Sequence, residues 1–131
     1  MTLKRASHRS PLGQARGLGS AKEGVHHWWA QRVTAVALVP LSIWLVATLV
    51  RLSNTGYAGF VSWFSNPIHA TVMILLLGVT FHHAQLGVQV VVEDYIPGHG
   101  PRIVVNMLVK FLCYALAALS IVSILIVAFK G

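Results

Sequence analysis

Hydrophobic positions in this 131-residue chain fall into three long runs separated by short polar breaks. The first runs from Val33 to Val50, 18 residues, and Trp28 and Trp29 extend it at headgroup depth. The second, Pro67 to Val92, has 26 residues, and the third, Ile103 to Phe129, has 27 and carries one charged residue, Lys110. A helix needs about 20 apolar residues to cross the hydrocarbon core of a bilayer, whereas a strand needs about 10. The pattern therefore predicts three transmembrane helices, over residues 28–50, 67–92 and 103–129, in an all-α membrane protein. Residues 1–24 read as a basic arm and 25–131 as a three-helix transmembrane domain.

The breaks between runs have local causes. Arg51 closes the first run, and Ser53-Asn54-Thr55-Gly56 follows with loop chemistry. Tyr57, Phe60, Trp63 and Phe64 form an aromatic stretch expected at the membrane interface. Asn66-Pro67 opens the second helix, since proline suits a first turn. Pro97-Gly98-His99-Gly100-Pro101 predicts a turn through which no helix continues. Pro40, inside the first run, predicts a kink.

Composition narrows the function classes. Hydrophobic residues make up 56% of the chain and charged residues 10%. Soluble domains carry about 25% charged residues, so a free soluble enzyme is excluded. The single cysteine, Cys113, excludes an internal disulfide framework and a cysteine-rich metal cluster. No Cys-x-x-Cys-His motif occurs either. Gly17-Leu18-Gly19 and Gly24 lack the spacing and the preceding strand of a dinucleotide loop.

Charge adds an orientation. The net charge is +7, and Lys4, Arg5, Arg9, Arg16, Lys22 and Arg32 precede or open the first span. Counting Arg102, seven cations lie on one side, against Arg51 and Lys130 on the other. The positive-inside rule then predicts a cytoplasmic (or matrix) N-terminus. Anionic lipid, rather than nucleic acid, is the expected counter-charge. The Arg-rich, acid-poor arm has the composition of a mitochondrial presequence but is read as a retained cytoplasmic arm, and no secretory signal is expected ahead of residue 33.

Seven histidines in so apolar a chain point to chemistry. His83 lies sixteen residues beyond Pro67, well inside the second span, and ionisable groups at such depth are costly and functional by default. Gly87, one turn on, leaves room for a flat macrocycle on the same face. Two alternatives stay open on the residues alone: an iron ligand, or a histidine hydrogen-bonded to a neighbouring helix. Asp94-Tyr95 follows His83 by twelve residues, about 18 Å along a helix. There a phenol can donate to a carbonyl or simply anchor the helix at the interface.

The pattern His83-x3-Gly87-x6-Asp94-Tyr95 on the second of three helices resembles the small hydrophobic membrane anchors of succinate dehydrogenase, respiratory complex II. Gly24-Val25-His26, then Arg32 and Thr34-Ala35, resembles the start of that family's first helix, so the likeness covers about residues 20–131. In that family a flavoprotein oxidises succinate, an iron–sulfur subunit relays electrons, and ubiquinone is reduced at the membrane beside haem b. The resemblance implies that His83 is one axial haem ligand, the other coming from a second anchor, the cytochrome b subunit. It also implies that Tyr95 hydrogen-bonds a quinone carbonyl beside Asp94, and that His26 and Arg32 lie near the haem propionates. The expected location is the bacterial inner membrane, with the mitochondrial inner membrane as the alternative. An anchor of a fumarate reductase is the variant reading. A small non-haem membrane transporter or assembly protein, with the histidines as a proton relay, is the alternative of another class.

Neighbouring residues leave choices. His82 adjoins His83 but misses the twelve-residue spacing to Tyr95, and His27 adjoins His26. His69 precedes His83 by fourteen residues on nearly the same helix face and reads as a polar residue near the outer interface. His8 and His99 read as solvated, and Lys110 as snorkelling toward the cytoplasmic headgroups. Trp28, Trp29 and Trp44 read as belt and packing residues, and Ala115, Ala117 and Ala118 as a close-packing patch.

Overall fold

The computed structural model describes residues 11–12 and 21–130, so most of the basic arm, His8 included, lies outside the described residues. Four helices follow in order: α1, Ala21–Leu52; α2, Gly56–Phe64; α3, Pro67–Tyr95; and α4, His99–Lys130. No strand occurs among the described residues. The three long helices are each long and apolar enough to cross a membrane. Each contains its predicted span and extends beyond it, and α1 continues on both sides of Pro40.

Asn66 starts α3 as the spacing predicts. Its side-chain oxygen accepts from the Ile68 N–H at 2.9 Å, and Pro67 follows at the first helical position. The cap satisfies one orphan donor of the first turn, and proline has no N–H there to satisfy.

Two local expectations change. The turn after α3 is shorter than Pro97–Pro101: Gly98 takes φ +93°, and α4 already begins at His99. Pro101 is then the third helical residue, where no intrahelical N–H bond is required of it. The aromatic stretch is itself a short helix, α2. Gly56, at φ +65°, turns the chain out of the α1 terminus, and α2 then buries Phe64 completely, with the Phe60 ring 4.8 Å from it. Runs of twenty apolar residues do not register a nine-residue element of this kind.

α3 is the central helix. It packs against both α1 and α4, while α1 and α4 do not touch one another among the described residues. α2 lies across the far end and reaches all three. The result is an open layer rather than a closed bundle. α3 accordingly supplies most of the buried side chains, Ala70, Leu76, Gln85, Leu86 and Val92. On α4 only Ala117 of the expected alanine patch is buried, and Ala115 and Ala118 are exposed. Most large apolar side chains of α1 and α4 are exposed, as befits surfaces that meet lipid or other helices.

The Arg102 guanidinium donates from Nε and Nη2 to the Ile96 carbonyl, at 3.4 and 3.2 Å, across the α3–α4 turn. A cation is favoured there by the negative end of the α3 dipole. The start of α1, the end of α3 and the start of α4 thus share one end of the layer, and α2 occupies the other.

Phe64→Ala should destabilise the fold by about 3–5 kcal/mol through the cavity it leaves. Tyr57→Ala, at a side chain that is 71% exposed, should change stability by no more than about 0.5 kcal/mol. Denaturation of the detergent-solubilised protein, followed by circular dichroism, checks the difference.

Candidate functional site

His83 meets α1 through one nitrogen. Its Nδ1 lies 2.9 Å from the Thr34 hydroxyl, which also lies 2.7 Å from the Ala30 carbonyl and 3.0 Å from that of Gln31. His83 Nε2 makes no hydrogen bond among the described residues, and His82 makes none with either nitrogen. At Gly87, one turn on, a Cβ would meet nothing within 4 Å, so the helix surface there is open. No group of three or more potential metal ligands exists among the described residues. A metal held at His83 Nε2 would therefore draw its other ligands from outside them.

Asp94 and Tyr95 end α3, and both are exposed, Tyr95 at 81%. A polar ladder runs from this end back into α3. Gln89 Nε2 donates to Glu93 Oε1 at 2.9 Å, and Gln85 Nε2 donates to Gln89 Oε1 at 3.2 Å. Gln85 is buried, two residues from His83, whereas Glu93 is exposed beside Asp94. The ladder and the pairing of Thr34 with His83 are the features that sequence reasoning passed over. Their signals were present: polar residues at i, i+4 and i+8 inside an apolar span, and a hydroxyl within the block that opens α1.

The other expected site residues lie at the same end without touching His83. His26 is exposed, and Arg32 is exposed with its guanidinium 5.4 Å above the Trp28 ring. Arg32 stands about 200° around α1 from Thr34, so it is Thr34, not Arg32, that α1 turns toward His83. His27, about seven residues and two turns before Thr34, shares its face. Its Nε2 is buried without a hydrogen-bond partner.

His69 belongs to the opposite end. Its Nδ1 donates to the Trp63 carbonyl at 3.0 Å, and its ring stacks on Trp63 with centroids 3.7 Å apart. Arg51 covers the same indole at 4.8 Å. A cleft of about 370 Å³ opens nearby between α1 and α2, lined by side chains such as Leu45, Thr48, Tyr57 and Phe64. It is apolar and lies far from Asp94 and Tyr95.

Comparison with known proteins places these features in context. Residues 6–127 match the family described as succinate dehydrogenase/fumarate reductase transmembrane subunit. The chain is 33% identical over 121 residues to the succinate dehydrogenase hydrophobic membrane anchor subunit of Rickettsia bellii, covering 92% of this chain and 94% of that one. It is 32% identical over 106 residues to the corresponding protein of Rickettsia conorii, covering 80% and 84%. With the protein of the same description from Paracoccus denitrificans the identity is 33% over 89 residues, covering 68% and 69%. No solved structure matches the chain.

The ladder carries a testable energetic asymmetry. Gln89→Leu strips the buried Gln85 amide of its acceptor and should cost about 1–3 kcal/mol. Replacing Gln85 and Gln89 together by leucine should cost less than the sum of the two single changes. A double-mutant cycle on the unfolding free energy measures that coupling.

Proposed function

The chain belongs to the family of succinate dehydrogenase and fumarate reductase transmembrane subunits, and from that premise we propose that it holds one side of haem b and part of a ubiquinone-reduction site. It is a multi-pass protein of the bacterial inner membrane, an anchor within an enzyme complex. Its proposed partners are the flavoprotein and iron–sulfur subunits and a second anchor, the cytochrome b subunit. The proposed direction is electron transfer from succinate to ubiquinone, in keeping with the relatives named succinate dehydrogenase.

One observation carries the haem assignment. His83 is tied to α1 through Nδ1, while Nε2 is unengaged beside the open helix surface at Gly87. The tie uses one nitrogen, so a helix-to-helix hydrogen bond and an iron ligand coexist in one ring. The fit extends to the donor set: a lone imidazole in this chain requires the second axial ligand from a partner, as a shared haem does. His83 Nε2 would hold the iron, Gly87 would admit the macrocycle edge, and His26 and Arg32 would lie toward the propionates. Bound there, haem b supplies a one-electron carrier within the membrane.

Tyr95 is proposed to donate its hydroxyl proton in a hydrogen bond to a ubiquinone carbonyl, with Asp94 beside it. Quinone reduction takes up two protons, so a site at the exposed end of α3 has water at hand. Tyr95 orients the carbonyl, and Asp94 and Glu93 keep the approach polar. The soluble subunits would dock at this end, and electrons would need to cross only the near edge of the membrane.

His83→Leu should abolish the b-type signal in a reduced-minus-oxidised spectrum of the assembled complex, while His82→Leu should preserve it; the reverse result transfers the ligand role to His82. Tyr95→Phe keeps the ring and removes the donor, at a cost of about 0.5–1.5 kcal/mol, roughly 2- to 13-fold, and more where the carbonyl gains charge. Succinate:ubiquinone turnover should fall by at least that factor. Succinate oxidation by a soluble dye that takes electrons before the membrane should stay near normal.

A further inference from the structure

The Thr34 hydroxyl has one proton and three close polar neighbours: the Ala30 carbonyl at 2.7 Å, the Gln31 carbonyl at 3.0 Å and His83 Nδ1 at 2.9 Å. Both carbonyls are acceptors only, so the hydroxyl proton belongs to one of them, and the shorter distance favours Ala30. What Thr34 turns toward His83 is then a lone pair. Nδ1 must supply the proton of that contact, and in the neutral ring Nε2 is left as the bare, electron-donating nitrogen. The other neutral tautomer would pull the hydroxyl proton away from both carbonyls and leave oxygen lone pairs opposed at 2.7 and 3.0 Å.

We propose that Thr34 is a positioning residue that holds His83 in the Nδ1–H tautomer and fixes its ring plane, so that Nε2 is the nitrogen presented to the iron. This role presupposes His83 as the haem ligand proposed above. The bonds form a relay, His83 Nδ1–H to Thr34 Oγ1 and Thr34 O–H to the Ala30 carbonyl, in which each bond polarises the next. The electronic consequence is a stronger electron donor at Nε2, because the hydrogen bond that Nδ1–H gives on the far side of the ring pushes density toward the ligand nitrogen. The mechanical consequence is that α1 orients a ligand carried on α3. Threonine suits the task because its β-branched side chain is held to few rotamers in a helix, including one that bonds the carbonyl one turn back.

The test uses the complete complex purified with this chain carrying Thr34→Val or Thr34→Ser. Valine keeps the shape and removes the hydroxyl; serine keeps the hydroxyl. Thr34→Val should release haem to an apoprotein scavenger roughly 10- to 100-fold more readily. It should also raise the haem midpoint potential, because a weaker donor stabilises ferric iron less. Thr34→Ser should restore both readouts. A Thr34→Val complex with wild-type haem retention and wild-type potential overturns the proposal. Haem that persists in His83→Leu overturns instead the ligand role on which it rests, so the two failures are distinct. Should Thr34→Val not assemble, Thr34→Ala is compared with Thr34→Ser on the same readouts. If neither Val nor Ala assembles while His83→Leu does, Thr34 acts in helix packing and not through His83, which also overturns the proposal.

Discussion

Inside a bilayer a hydroxyl has no water to bond, and the nearest acceptor is a carbonyl of its own helix one turn back. Thr34, Thr71, Ser120 and Ser123 all follow this rule, each donating to the carbonyl four residues earlier. Thr34 alone among these four has a second polar partner on another helix. Its proton is committed to α1, so its lone pair is free for a donor on α3. In the proposed arrangement the attitude of the His83 ring and the identity of the nitrogen left bare both depend on that one committed proton.

The same scarcity of water accounts for the Gln85–Gln89–Glu93 ladder. A buried primary amide inside a span must find its acceptor along its own helix, and the i, i+4 geometry supplies one at Gln89 and then at Glu93. The chain of amides ends where the helix reaches the exposed Asp94-Tyr95 pair. Arg102, on the next helix, ties down the carbonyl of Ile96, one residue beyond Tyr95. The proposed quinone-facing end of α3 is therefore braced from within the span and from across the turn.

The three spans were legible because a charge-poor, mostly apolar length of this kind crosses lipid as a helix, which satisfies its own backbone. The start of α3 was legible because Asn66-Pro67 is a cap with a mechanism, and the axial placing of His83, Gly87 and Tyr95 follows from counting residues along a helix. α2 was not legible, because nine residues of mixed aromatic and small side chains carry no run-length signal and depend on Gly56 and on the burial of Phe64. Nor was the extent of the last turn, where Pro101 read as a helix stop although the first turn of a helix tolerates it. The partner of His83 was hidden for another reason: sequence distance says nothing of which face of α1 meets α3. Thr34 and Arg32 are two residues apart, and only packing decides that Thr34 turns inward while Arg32 lies against Trp28.

The open layer bears on how such a chain is made in the cell. Among the described residues, α1 and α4 are out of contact, side-chain burial is concentrated on one helix and at one capped end, and two broad helical surfaces lack a protein neighbour. Where no water is present to drive helices together, association depends on packing and on polar bonds between them. A chain built this way leaves much of its apolar surface to helices of other subunits or to lipid, and matching its synthesis copy for copy to theirs gives those surfaces a protein neighbour.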